Sequence, residues 1–159
     1  MAQKFYVIGE IEEDMLRGLA QHLEESAGKE VELRISSVGG SLDAALAMVG
    51  LIKAYKGNVS TTVFGYCFSS AVLVFAAGKT RRMSKYAWCM VHESSDKVKG
   101  TSGTVRNFAK NMDKQETAWN MHMQEFTATD AKVWEKLSEK DTYLNADECL
   151  KLGLATEII

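Results

Sequence analysis

At 159 residues with 46% hydrophobic and 25% charged side chains, the chain can bury one adequate core and is read as a single domain over residues 1–159. A net charge of −2 leaves no basic footprint, which sets aside nucleic acid and anionic membrane as partners. The three cysteines, Cys67, Cys89 and Cys149, match neither a CxxC metal spacing nor a disulfide framework, so reduced thiols and no metal or cofactor are expected.

The opening, MAQKFYVIGEIEED, lacks the basic-then-apolar pattern of a signal peptide, and no apolar run reaches the ~18 residues of a spanning helix, so a cytoplasmic chain is expected. A strand is predicted at residues 5–9, then an amphipathic helix from Glu12 to Ala27 with Met15, Leu16, Leu19 and Leu23 on one face, ending at Gly28. Residues 31–35 alternate as a strand, followed by Ser36-Ser-Val-Gly-Gly and a helix from Ser41 to Tyr55. Residues 59–64 are β-branched and strand-like, Gly65 breaks them, and a short apolar helix runs from Ser69 to Ala77 and stops at Gly78. Residues 87–91 form another apolar strand that delivers His92 at its C-terminal end. The composition then turns polar from Ser94 to Gly103, before a helix from about Thr104 to Phe126. Thr129 caps a further helix to about Glu139, residues 141–144 are extended, and Asn145 with Glu148 makes a capping box for the last helix. Gly153 ends that helix ahead of a final strand, residues 155–159. Repeated βα units imply an α/β fold with a mostly parallel sheet.

Ser69 follows a strand-to-helix turn, where the free amides and dipole of a helix N-terminus favour developing negative charge. A serine hydroxyl needs a positioned base, and His92 at a strand end can serve; His22 and His122 lie within amphipathic helices. Asp141 is a candidate for the carboxylate that orients such a base. The Gly39-Gly40 segment lets the backbone approach a ligand, so the amides of Gly40 and Ser70 are candidates for an oxyanion hole. Each feature also has an ordinary explanation: Ser69 as a helix cap, His92 as a buried histidine, Asp141 as a turn aspartate, and the glycines as a plain connection. Sequence alone does not show that they converge.

Five segments, Ile35-Ser-Ser-Val-Gly-Gly-Ser, Gly65-Tyr-Cys-Phe-Ser-Ser-Ala, Ala76-Ala-Gly-Lys, Met90-Val-His-Glu and Asp141-Thr-Tyr-Leu-Asn-Ala, resemble the Clp protease proteolytic subunit in order and approximate spacing. The family's G-x-A-A-S, M-I-H-Q-P and D-R-F-x-S-A patterns map onto Ser69, His92 and Asp141, and Glu148-Cys-Leu-Lys-Leu-Gly-Leu-Ala is similar to its C-terminal segment. The resemblance implies a Clp protease/crotonase-like fold with a projecting handle helix in a region of about 94–127, and serine endopeptidase activity inside a homo-oligomeric chamber, a heptameric ring or double ring. It further implies that Gly39, Gly40, Leu42, Ser94 and Ser95 hold a peptide or unfolded protein substrate as an added strand. A strand start near Phe5 leaves no room for the family's axial-loop segment, so an ATP-driven AAA+ unfoldase partner is left open. Ser37-Val-Gly-Gly, Cys67-Phe-Ser, Ser70 and Ser94 depart from the family pattern and fit a compact, phage-borne member. The rival readings are a non-catalytic or regulatory ring subunit, a phage capsid or scaffold maturation protease, and, for the nucleophile, Cys67.

Overall fold

Alternating apolar residues set the first half of the molecule. In the computed structural model, which describes residues 1–159, Val31, Leu33 and Ile35 bury one face of a strand while the residues between them are partly open. The elements follow as β1 (Gln3–Ile11), α1 (Glu13–Ser26), β2 (Val31–Gly40), α2 (Leu42–Ala54), β3 (Val59–Phe68), α3 (Ser70–Ala76), β4 (Arg81–Met83), β5 (Trp88–Val91), α4 (Ser102–Thr127), α5 (Ala131–Ser138), β6 (Thr142–Leu144), α6 (Ala146–Lys151) and β7 (Glu157–Ile158). The α/β expectation is met: a seven-stranded, mostly parallel sheet runs β1-β2-β3-β4-β7, and β5 branches from β3 to carry antiparallel β6. No helix is long and apolar enough to cross a membrane.

The strand β3 is shared between two neighbours. Its first half pairs with β4 at Thr61–Val63, and its second half pairs with β5 at Tyr66–Phe68. Gly65 does not break it, contrary to the sequence expectation. The β2–β3 register shifts between Ile35/Val63 and Ser37/Cys67, and a Cβ on Gly65 would lie 2.6 Å from Ser36 Oγ, so glycine makes room for a bulge that bends the strand and lets it continue. Likewise β2 runs on through Gly39 and Gly40, because β1 supplies ladder partners as far as Ile11. The short β4 has no counterpart in the sequence reading, and β1 starts two residues before Phe5.

Thirty-three buried residues form one hydrophobic core, which includes six of the seven residues of α3, Ala71 to Ala76; Ser70 is buried beside it. The helix α4, capped by Thr101, buries only Met123 and Thr127, so most of its length stands clear of that core. Trp134 of α5 is fully buried, donates to Thr127 Oγ1 at 3.2 Å and meets Trp119 edge-on, which seats α5 on the C-terminal end of α4. Asp130, not Thr129, caps α5; Thr129 donates instead to the Leu152 carbonyl. The Asn145/Glu148 capping box is present.

Arg81 fastens the C-terminal segment to the sheet. Its guanidinium donates to the carbonyls of Gly78, Gly153 and Leu154 at 2.9–3.0 Å. Arg81→Met keeps the bulk and strands three carbonyls, and is expected to lower the unfolding free energy by about 2 kcal/mol in urea titration; a loss under about 0.5 kcal/mol would remove Arg81 from this role.

Candidate active site

Strand register brings the three candidate residues together. Phe68 pairs with Met90 across parallel β3 and β5, and the Ser69 amide extends the ladder to the Met90 carbonyl at 2.8 Å. Ser69 and His92 therefore leave adjacent strands at the same edge, with Ser69 Oγ 2.9 Å from His92 Nε2. Antiparallel pairing of Val91 with Thr142 then sets Asp141 opposite His92. Asp141 Oδ1 stands 3.9 Å from His92 Nδ1, an ion-pair distance beyond hydrogen-bond range, and its side chain is 69% exposed.

Ser69 is held in a conformation that L-residues rarely adopt, φ 56° and ψ −129°. Such a conformation costs about 1–3 kcal/mol and persists only where the surroundings impose it. Its side chain makes no cap hydrogen bond to α3. The helix-cap explanation therefore fails, and the hydroxyl is turned to His92. A hydroxyl donating to Nε2 goes with the tautomer that carries its proton on Nδ1, the nitrogen facing Asp141.

The glycine pair lies against this turn. Gly39 has φ +89° and Gly40 φ +147°. A Cβ on Gly39 would fall 2.6 Å from the Phe68 carbonyl, 2.8 Å from Ser69 Cβ and 3.1 Å from the Ser70 amide. Absence of a side chain thus keeps the space before the Ser70 amide clear, and that amide opens a helix whose first N–H groups have no intrahelical acceptor. Ser37 Oγ donates to the Gly9 carbonyl at 2.6 Å and accepts the Gly39 amide at 3.1 Å, while Ser70 Oγ donates to the Gly40 carbonyl at 3.2 Å. These bonds tie the glycine segment to β1 on one side and to α3 on the other.

A cleft of about 1220 Å³ opens over the site. Ser69, Ser70, His92, Gly40, Leu42, Ser94 and Ser95 all line it; Gly39 and Asp141 do not. Helices α4 and α5 form the far wall, through residues including Phe108, Met112, Trp119 and Glu135.

The family profile described as Clp protease matches residues 4–159. The chain belongs to the Clp protease family. It is also 31% identical over 151 residues to the ATP-dependent Clp protease proteolytic subunit 2 of Treponema denticola, covering 94% of this chain and 76% of that relative. Membership in this family makes the chain a peptidase.

Glu116 was not singled out in the sequence, because a lone glutamate on a polar helix reads as a solvated face. Here its Oε1 accepts the Ser94 amide at 3.1 Å and pins the segment just after His92 to α4. The cysteines also gather at the strands beneath the site: Cys67 pairs with Cys89 between β3 and β5, and Cys149 of α6 reaches Cys89. Contact with Cys89, then burial, push the Cys149 thiol far above the ordinary range. Cys67 is fully buried and absent from the cleft lining, so a substrate in the cleft does not meet it.

Gly39→Ala tests the close approach. The added methyl group meets backbone at a positive φ, and it is expected to lower stability by about 1–3 kcal/mol and to slow phosphonylation of the site at least tenfold. Labelling at the native rate would show that the segment does not guard the Ser70 amide.

Proposed function

We propose that the chain is a serine endopeptidase whose catalytic residues are Ser69, His92 and Asp141. The observation that carries the reading is the 2.9 Å contact between Ser69 Oγ and His92 Nε2, made by a serine held in a strained turn and facing a cleft. His92 Nε2 takes the hydroxyl proton as Oγ attacks the peptide carbonyl, forming a tetrahedral oxyanion. The amides of Ser70 and Gly40 receive that oxyanion, and one such donor is worth ~3 kcal/mol of barrier. The imidazolium then gives its proton to the leaving amine as the C–N bond breaks, and water hydrolyses the acyl-serine by the same steps in reverse order.

Asp141 holds the Nδ1–H tautomer and stabilises the imidazolium. At 3.9 Å and exposed, it acts through charge more than through a fixed hydrogen bond; such contacts commonly tighten when substrate binds. Substrate lies along Gly39 and Gly40 as an added strand, with Leu42, Ser94 and Ser95 beside it.

Ring assembly around an enclosed chamber and protein substrates belong to the same reading. The outward face of β3, β5 and β6 carries Tyr66, Trp88 and Tyr143, all exposed, which is apolar surface that assembly would cover. The Treponema relative is named as ATP-dependent, and ATP-driven delivery of substrate is part of the proposal.

Intact-mass analysis after treatment with a fluorophosphonate tests the reading on the assembled protein. The native chain and Cys67→Ala should each gain one adduct and Ser69→Ala none. His92→Ala should slow labelling at least ~100-fold, and Asp141→Asn by a smaller factor. No adduct on the native protein would leave a non-catalytic ring subunit in its place.

A further inference from the structure

The cleft over Ser69 and His92 carries a charge pattern that peptide hydrolysis does not require. Seven acidic residues line it, Asp43, Glu93, Asp96, Asp113, Glu116, Glu135 and Glu139, and no lysine or arginine does. They are a third of the chain's 21 acidic residues, gathered in one depression of a protein whose net charge is only −2. None is in a direct ion pair: the ion pairs of the chain join Arg17 to Glu13 and Asp14, Arg82 to Glu157, and His92 to Asp141. Lys97, Lys110, Lys114, Lys136 and Lys140 occupy the same segments but line no part of the cleft. A concave, single-sign surface focuses its field and concentrates counter-charge inside it.

A second observation points the same way. Asn120 Oδ1 and Ser138 Oγ are buried without a hydrogen-bond partner, and both residues line this cleft; Ser138 is only 8% exposed. Unpaired buried polar atoms are costly, and a donor-rich group, an ammonium with three donors or a guanidinium with five, can serve the Asn120 oxygen and the Ser138 hydroxyl oxygen together. An aliphatic side chain in the same place would leave both unpaired, and a carboxylate could satisfy only the Ser138 hydroxyl, leaving Asn120 Oδ1 without a donor.

Glu116 links these acceptors to the reacting bond. It is half-buried and holds the Ser94 amide, two residues beyond His92, and it sits four residues before Asn120, on the same face of α4. We propose that the cleft selects a lysine or arginine side chain beside the scissile bond, with Glu116 as its ion-pair partner and Asn120 and Ser138 accepting its remaining N–H donors. The proposal rests on the serine peptidase reading and names its substrate class, peptides and unfolded segments cut next to a basic residue.

Quenched fluorogenic peptides that differ only in Lys, Leu or Glu before the cut test it on the assembled protein. The Lys peptide should exceed the Leu peptide in kcat/KM by about tenfold, with Glu lowest, and the preference should shrink between about 0.05 M and about 0.5 M NaCl. Glu116→Gln retains a carbonyl oxygen for the Ser94 amide while losing the charge, and should cut the Lys/Leu ratio about tenfold. In parallel, Ser69→Ala should bind a fluorescent Lys peptide about tenfold more tightly than its Glu counterpart by anisotropy.

Equal rates for Lys and Leu, or a Glu116→Gln variant that slows every peptide by one factor, would overturn the proposal. Phosphonate labelling of Ser69 without a Lys preference defeats the selectivity and leaves the peptidase reading intact. Preferential binding of the Lys peptide by a chain that takes no label defeats the peptidase reading and upholds the selectivity. Neither labelling nor preferential binding removes both.

Discussion

Phe68 pairs with Met90 on parallel β3 and β5, Val91 pairs with Thr142 on antiparallel β6, and from these two registers the site follows. Parallel strands end at the same edge, so the residues after Phe68 and Val91 emerge side by side. An antiparallel neighbour brings its beginning to that edge, which puts Asp141 opposite His92. A slip of one residue in either ladder would turn the pairing faces over and part the three side chains. The hydrogen bond from the Ser69 amide to the Met90 carbonyl is the clamp that fixes the first ladder where Ser69 leaves it.

Holding Ser69 at φ 56° is unfavourable, about 1–3 kcal/mol for a residue with a Cβ. The chain offsets this just downstream, because every residue of α3 is buried, and the burial of Leu73 and Phe75 alone contributes more than the strain removes, at roughly 1.5–3 kcal/mol per large side chain. Upstream, Gly39 brings its backbone against Phe68 and Ser69 at distances that a side chain would forbid. The turn is thus squeezed between a buried helix and a bare strand, and its hydroxyl has one direction left, toward His92. Above it, Glu116 draws the segment after His92 onto α4, so one wall of the cleft also fixes the chain that carries His92.

The repeated strand-helix units were legible because their apolar residues alternate or recur at helical spacing. Ser69 at a strand-to-helix turn and His92 at a strand end were legible for the same reason. Gly65 and the Gly39-Gly40 pair misled, since glycine reads locally as a break, whereas here neighbouring strands continue the ladders and glycine serves a bulge and a close approach. The three-residue strand Arg81–Met83 had no periodicity to show, being held by β3 and β7 from far along the chain. Asp141 opposite His92 depends on pairing between segments some fifty residues apart, which no local pattern contains; the family resemblance supplied it. Glu116 reads as an ordinary solvated helix residue until α4 folds over the site and its carboxylate takes the Ser94 amide.

A crystal structure of the assembled protein with Ser69 phosphonylated tests the central claim most directly, that this strand edge aims one hydroxyl at a substrate and two amides at the oxyanion. The account predicts continuous density from Ser69 Oγ to phosphorus, with the phosphonyl oxygen ~2.7–3.1 Å from the amides of both Ser70 and Gly40 and His92 Nε2 beside the ester oxygen. Phosphorus on another residue, or a phosphonyl oxygen turned away from both amides, would contradict it.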